Sequence, residues 1–427
     1  MNLLIKGGRL ISPADNLDKE QDILIEKGLV KRIAKGIKGS KAKTIEAKGK
    51  IVSPGLIDMH THLREPGRED KETIFTGARA AIRGGFTTIA CMANTNPPLD
   101  SEQDMEFILS EAKNIGLIDI LPIGAVTVEM KQKQLTEIAK LKKAGAVALS
   151  EDGYTILDSN FFRRAMEYAN MYGLIIICHC EDEYLAKDGQ VNEGYMSTLL
   201  GLKGIPNEAE SIIVARDINL ARIANARIHI AHVSTKESID LIRQAKKEKL
   251  KITAETCPHY FLLSDDYLRN YNTNFKVNPP LRTKSDVEAV KEALADGTID
   301  IISSDHAPHL ESEKDLEFNK APFGMIGLET SLAASFKLVE DKTLKIEELI
   351  VKMSTKAAEI FNLNAGRIKE GASANLSIIN SMSPWQVKKD EFESKSSNSP
   401  FIGHEFNARV EAVISKGRVV MENYKII

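Results

Sequence analysis

The chain has 427 residues, of which 43% are hydrophobic and 27% charged, and a formal net charge of −3. That balance argues against a nucleic-acid or membrane-surface partner and for a protein acting on a small molecule. The length exceeds a minimal domain and suits one α/β barrel of about 250 to 300 residues with a smaller module attached.

No run reaches the ~18 apolar residues of a membrane span, and Met1 to Leu10 lacks the apolar core of a signal peptide, so the cytoplasm is the expected location. Cys91, Cys178, Cys180 and Cys257 sit in apolar or strand-like stretches and read as reduced core thiols. From Leu3 to about Val52 the pattern is short and β-like. The same style returns in Ala374 to Ile379, Val410 to Ile414 and Arg418 to Met421. Both chain ends are therefore expected to build one small β-sandwich, residues 1–52 and 365–427, around a central domain of residues 53–364.

In that centre, apolar β-prone runs alternate with helix-period segments, which predicts repeated βα units around a parallel sheet. The runs are Ile51 to His60, Phe86 to Met92, Ile118 to Val126, Ala146 to Ser150, Leu174 to Cys178, Arg227 to Ala231, Lys251 to Glu255 and Ile299 to Ser304. Eight units predict a closed (β/α)8, TIM-type barrel. Helices are expected at Lys71 to Arg83, Glu102 to Lys113, Gln134 to Lys143, Asn160 to Tyr172, Glu208 to Ala224 and Lys236 to Lys247. Ser394 to Ser399 reads as a surface loop.

Histidines and acids fall at the carboxyl ends of these runs. His60 and His62 close the first, Asp152 the fourth, His179 the fifth, His232 the sixth and Asp305 the eighth. Strand alternation turns His60 and His62 to one face. A barrel's active site lies at the carboxyl ends of its strands, so these six side chains are expected to converge. Four imidazoles and two carboxylates exceed one tetrahedral ion and suit two ions sharing a bridging carboxylate and hydroxide. Arg64 follows immediately, with a guanidinium shaped for a carboxylate. Alternation places Cys178 and Cys180 opposite His179. His229 reads as structural, His259 as supporting or packing, His306 as pointing away, and His404 as unrelated. Ala307 to Met325, a long connection at the barrel mouth, is an expected lid.

Asp58-Met59-His60-Thr61-His62-Leu63-Arg64-Glu65-Pro66-Gly67 and Ser304-Asp305-His306-Ala307-Pro308-His309 resemble the two signatures of the dihydroorotase family, class I bacterial type, within the amidohydrolase superfamily. The resemblance spans essentially the whole chain. It implies reversible cyclisation of N-carbamoyl-L-aspartate to L-dihydroorotate in pyrimidine synthesis, with two Zn2+ ions bridged by Asp152 and a hydroxide. Metal ligands would be His60, His62, Asp152, His179, His232 and Asp305, with Asp305 as general acid/base. Substrate contacts would be His62, Arg64, Asn94, Asn278, His309, Phe323 and Gly324.

Many relatives in the superfamily bridge their metals with a carboxylated lysine at the end of the fourth strand, and none stands there in this chain. Residue types alone leave Glu151 and Asp152 both available, and the resemblance favours Asp152. A homodimer is expected, with association with aspartate carbamoyltransferase a further option. Two rivals stand beside this reading. One is another cyclic amidase, such as a hydantoinase, dihydropyrimidinase or allantoinase, which would not predict Arg64. The other is a non-catalytic scaffold subunit, which would be expected to lose metal ligands.

Overall fold

The structure, a computed structural model, describes residues 2–38 and 42–427; residues 1 and 39–41 of the expected first segment lie outside the described part. Eight parallel strands follow one another around a barrel: Leu56–Thr61, Phe86–Cys91, Asp119–Ala125, Ala148–Ser150, Ile176–Cys178, Ile228–Ile230, Ile252–Thr256 and Ile301–Ile302. Each expected β-run overlaps one of them, the first and seventh strands extending one residue further, to Thr61 and Thr256.

The seam between the eighth and first strands is closed by few backbone bonds. His62 N–H donates to His306 O at 2.8 Å. The buried Asp58 carboxylate does the rest, accepting His60 N–H and Ser304 N–H at 3.0 Å each. One side chain thus ties together the two strand ends that carry His60 and Asp305.

Side chains pointing into the barrel, among them Ile57, Met59, Ile123, Ile177 and Ile301, form a packed core. Ala357, Ala358, Ile360 and Phe361 floor it at the amino-terminal end, where Arg227 donates to Ile360 O at 2.5 Å. Outward-facing residues of the strands pack with the helices in a second, larger layer. The barrel's interior is therefore solid except at its carboxyl mouth.

Two helices begin later than periodicity alone predicts. The first runs Ile74–Gly84, because Thr73 caps it by accepting Thr76 N–H on its hydroxyl, leaving Lys71 and Glu72 in the preceding loop. The third runs Ile138–Ala144, because Thr136 is held in the loop by hydroxyl bonds to Ala125 O and Val126 O. The others follow the pattern, with Glu208–Ala224 and Lys236–Lys247 spanning the expected residues.

Both chain ends join one nine-stranded sheet. The run expected to start the barrel at Ile51 is shared between the two units. Ile51–Pro54 pairs with the terminal strands Leu3–Ser12 and Leu376–Asn380, and the chain enters the barrel after Gly55. A Cβ on Gly55 would lie 2.0 Å from Thr87 Oγ1, so only glycine permits this crossing. The sheet then doubles back. Val30 N–H donates to Ala372 O and Ala374 N–H to Gly28 O, both at 2.9 Å, enclosing a separate core that includes Leu3, Ile5, Ile23, Leu376 and Ile414. This is the sandwich-like module. Among the described residues, no helix is long and apolar enough to cross a membrane.

Candidate metal centre and active site

The six expected ligands meet at the barrel mouth. Asp152 stands at the centre: its Oδ1 lies 3.4 Å from His60 Nε2 and 3.5 Å from both His179 Nδ1 and His232 Nε2, and its Oδ2 lies 3.4 Å from His62 Nε2. Asp305 Oδ1 is 3.2 Å from His62 Nε2 and 3.5 Å from His60 Nε2. His179 Nδ1 and His232 Nε2 approach to 2.9 Å. Asp152 therefore faces all four imidazoles, while Asp305 faces only the first two. Glu151 turns away and accepts the Thr127 N–H at 2.6 Å and its hydroxyl at 3.1 Å.

These residues fit a pair of divalent cations. His60 Nε2 and Asp152 Oδ1 are buried and lack a hydrogen-bond partner, an arrangement that costs free energy unless something else satisfies it. Two groups of donor atoms, one from His60, His62 and Asp305 and one from His60, Asp152 and His232, each lie within 4.8 Å of one another. Burial pushes the Asp152 carboxyl up, but the charge of His60 and the closeness of the His179 and His232 imidazoles carry it well below the usual carboxylate range. The ring holds ionised oxygen ligands beside imidazole nitrogens, with no thiolate, a donor set suited to zinc.

Backbone geometry aims these side chains. His232 and Asp305 have left-handed φ values of 34° and 48°, and Arg64 has 61°. Such conformations cost about 1 to 3 kcal/mol each and persist where the surrounding structure over-determines them.

A second layer sets the imidazoles. Glu255, fully buried on the seventh strand, lies 2.5 Å from His60 Nδ1. Its other oxygen meets His229 Nε2 at 3.2 Å and the Ser303 hydroxyl at 2.6 Å. A carboxylate on Nδ1 leaves Nε2 as the ligand atom and raises its basicity. Asn94 Oδ1 accepts from His62 Nδ1 at 2.9 Å, and Asn94 Nδ2 donates to Asp152 O at 3.2 Å. Glu255 is the functional residue that motif reading misses. Its one sequence cue is an acid inside an apolar strand.

A cavity of about 220 Å³ opens beside the ring, lined on the far side by Arg64, Asn278, His309, Phe323 and Gly324. Arg64 Nε donates to Pro308 O at 3.2 Å, which fixes the guanidinium over the cavity. Asn278 Oδ1 is buried without a partner. Gly324 has φ 130°, and a Cβ there would lie 3.0 Å from His309 Nε2, so a side chain would press on that ring. Gly324 N–H is already donated to Lys276 O at 2.9 Å, and its carbonyl accepts Lys314 Nζ and Asn398 Nδ2. Any backbone contact from this pair to a ligand therefore falls to Phe323.

The expected lid, 307–325, is pinned from beneath. Lys314 Nζ donates to Pro322 O and Gly324 O at 2.9 and 3.0 Å, and Lys276 Nζ to Phe318 O and Ala321 O at 2.6 and 2.7 Å. Ser394 to Ser399 corrects the sequence expectation of a surface loop, since Ser394, Ser396, Asn398 and Ser399 are buried. Its short polar side chains satisfy backbone groups of the site. Ser396 Oγ donates to Lys71 O at 2.7 Å. Asn398 accepts His309 N–H at 3.0 Å and donates to Ala307 O and Gly324 O at 3.1 Å. Asn398→Ala, which strands these buried groups, should destabilise the protein by about 3 kcal/mol. Urea unfolding measures this, and an unchanged midpoint would show that these bonds do not hold the loop.

The remaining histidines and cysteines fall as follows. His229 lies behind His60 on Glu255, and His306 turns away to Glu72 at 3.1 Å. His259 packs on Tyr260, and with Cys257 it lies close to Asp305. Burial pushes its imidazole down to about 4, so it is neutral beside the ring. His404 packs on Phe401, away from the site. All four cysteines are buried and free, with Cys178 and Cys180 in the outer core layer.

Barrel, sandwich and ligand ring together define an amidohydrolase-type enzyme. L-hydantoinase from Arthrobacter aurescens superposes with a TM-score of 0.89 at 26% identity, covering 100% of this chain and 97% of that one. A family model described as dihydro-orotase-like matches residues 49–238. The dihydroorotase of Geobacter metallireducens is 50% identical over 421 residues, 98% of this chain and 99% of the relative. That of Acetivibrio thermocellus is 48% identical over 420 residues, again 98% and 99%. The chain belongs to the dihydroorotase family.

Proposed function

We propose that this chain interconverts N-carbamoyl-L-aspartate and L-dihydroorotate in the cytoplasm, as a step of pyrimidine synthesis, with two zinc ions. The observation that carries the reading is a single cavity with a metal-type ligand ring on one wall and the Arg64 and His309 donors on the other. His60, His62, Asp152 and Asp305 would hold one ion, and Asp152, His179 and His232 the other. Bound there, the ions supply Lewis-acid polarisation of the amide carbonyl and a water of lowered pKa.

The chain's own groups do the rest. Arg64, Asn94 Nδ2 and His309 hold the substrate α-carboxylate, and Asn278 Oδ1 accepts a ring N–H. Asp305 takes the proton of the attacking water and delivers it to the departing ring nitrogen; ring closure runs the same transfers backwards. Burial raises the Asp305 carboxyl, but His60 and His62 bring it below its ordinary value, so it is ionised and able to accept. A hydantoin or allantoin carries no carboxylate at this position and would leave the half-buried Arg64 guanidinium without an anionic partner.

Metal analysis and turnover of dihydroorotate, hydantoin and allantoin on one preparation test this. The expected result is about two zinc ions per chain and turnover of dihydroorotate alone, abolished by a chelator and restored by zinc. Equal turnover of hydantoin would overturn the substrate assignment.

A further inference from the structure

Lys71 lies in the loop before the first barrel helix, and its side chain is buried. Its Nζ sits 3.1 Å from His309 Nδ1 and 2.9 Å from Glu313 Oε2. On the opposite side of the same imidazole, Arg64 Nη2 lies 3.5 Å from His309 Nε2. Both neighbours are cations that offer only donors, and a neutral imidazole has one accepting nitrogen. The ring can answer only one of them.

We propose that Lys71 is a positioning residue that holds His309 in the Nε2–H tautomer, so that His309 and Arg64 present converging donors to the substrate carboxylate. The carboxylate role rests on the function proposed above; the control of the tautomer does not. Lys71 is the nearer donor and takes the Nδ1 lone pair. The Nε2–H then faces the Arg64 guanidinium, and two donors converging at this distance leave room for an anion to accept from both.

Besides the more distant Arg64, Glu313 favours the opposite tautomer, since its Oε2 lies 3.4 Å from His309 Nδ1. That oxygen is already engaged by Lys71 and by Leu310 N–H at 3.1 Å, and Arg68 holds its partner oxygen at 3.3 Å. Lys71 therefore both occupies Nδ1 and draws off its competitor. Protonation at both nitrogens is opposed too: burial, and then the charges of Arg64, Lys71 and Lys314, push the His309 imidazole down to about 2. Removing the ammonium frees Nδ1–H to donate to Glu313 and turns Nε2 into a lone pair facing the cavity. A lone pair there repels a carboxylate.

The tautomer is read directly by long-range proton–nitrogen NMR on the full chain labelled with ¹⁵N-histidine, the His309 signals being identified by their loss in His309→Gln. In the wild-type protein the expected pattern is a protonated Nε2 and a bare Nδ1; a protonated Nδ1 would overturn the proposal without any variant of Lys71. In Lys71→Met the proton should move to Nδ1, and KM for dihydroorotate should rise about 10- to 100-fold with kcat far less affected. Lys71→Arg, which keeps a donor, should retain the wild-type pattern. An Nε2–H signal persisting in Lys71→Met would refute control by Lys71. A tautomer shift in a protein whose wild type does not turn over dihydroorotate would leave that control standing and sink the substrate reading.

Discussion

Replacing Asp305 with asparagine should lower turnover of dihydroorotate by about 10³-fold or more, near the upper range for loss of a positioned general base. The substitution separates two roles of one side chain. Asparagine keeps the shape and an oxygen where Oδ1 now lies, 3.2 Å from His62 Nε2 and 3.5 Å from His60 Nε2. It also tolerates the φ of 48° that the end of the eighth strand imposes. Fold and much of the metal content should therefore survive. What disappears is the ionised carboxylate able to take a proton from water and return it to nitrogen. Zinc content, thermal unfolding and kcat on the same preparation distinguish these effects. A metal-loaded variant retaining more than about a tenth of wild-type kcat would remove Asp305 from the proton path.

How far such roles can be seen in the sequence depends on how local their cause is. The eight strands are legible because apolar runs and helical periods alternate along the chain, and the ligand ring because a barrel brings the carboxyl ends of its strands to one face. His60, His62, Asp152, His179, His232 and Asp305 each carry their position in the few residues before them. Gly55 is different. Pro54-Gly55 interrupts Ile51 to His60, but a Pro-Gly pair does not tell that the chain passes there from the sandwich to the barrel, since both sheets ask for the same residues; the closeness of Thr87 shows it.

The Ser394 to Ser399 stretch fails for a related reason. Short polar residues read as loop because their backbone partners are invisible, and here those partners, Lys71, Ala307, His309 and Gly324, lie between 74 and 325 residues away. Lys71 itself looks like the start of an amphipathic helix until Thr73 is seen to cap it. Glu255 was the more accessible of the hidden residues, because a charge in a fully buried strand needs a partner, and His60 and His229 supply it.

Arg64→Met should reduce kcat/KM for dihydroorotate by about 10²- to 10³-fold, the scale of truncating one partner of a buried, hydrogen-bonded charge pair. Methionine has similar reach and no charge, and the residue keeps its φ of 61°, so the backbone carries the strain it already carries with arginine. The metal ring is untouched, because the Arg64 contacts run to Pro308 O and His309 and not to the six ligands. The loss should therefore fall on substrate holding, with KM rising before kcat falls, and metal content should stay at the wild-type level. It should also depend on the substrate. A cyclic amide without a carboxylate gains nothing from the guanidinium, so its turnover relative to dihydroorotate should rise in the variant, toward the preference expected of a hydantoinase-like pocket. Measuring kcat/KM for dihydroorotate and for dihydrouracil in both proteins gives that ratio. If Arg64→Met depresses both substrates equally, the guanidinium supports the site without reading the carboxylate, and specificity must be sought in His309 and Asn278 instead.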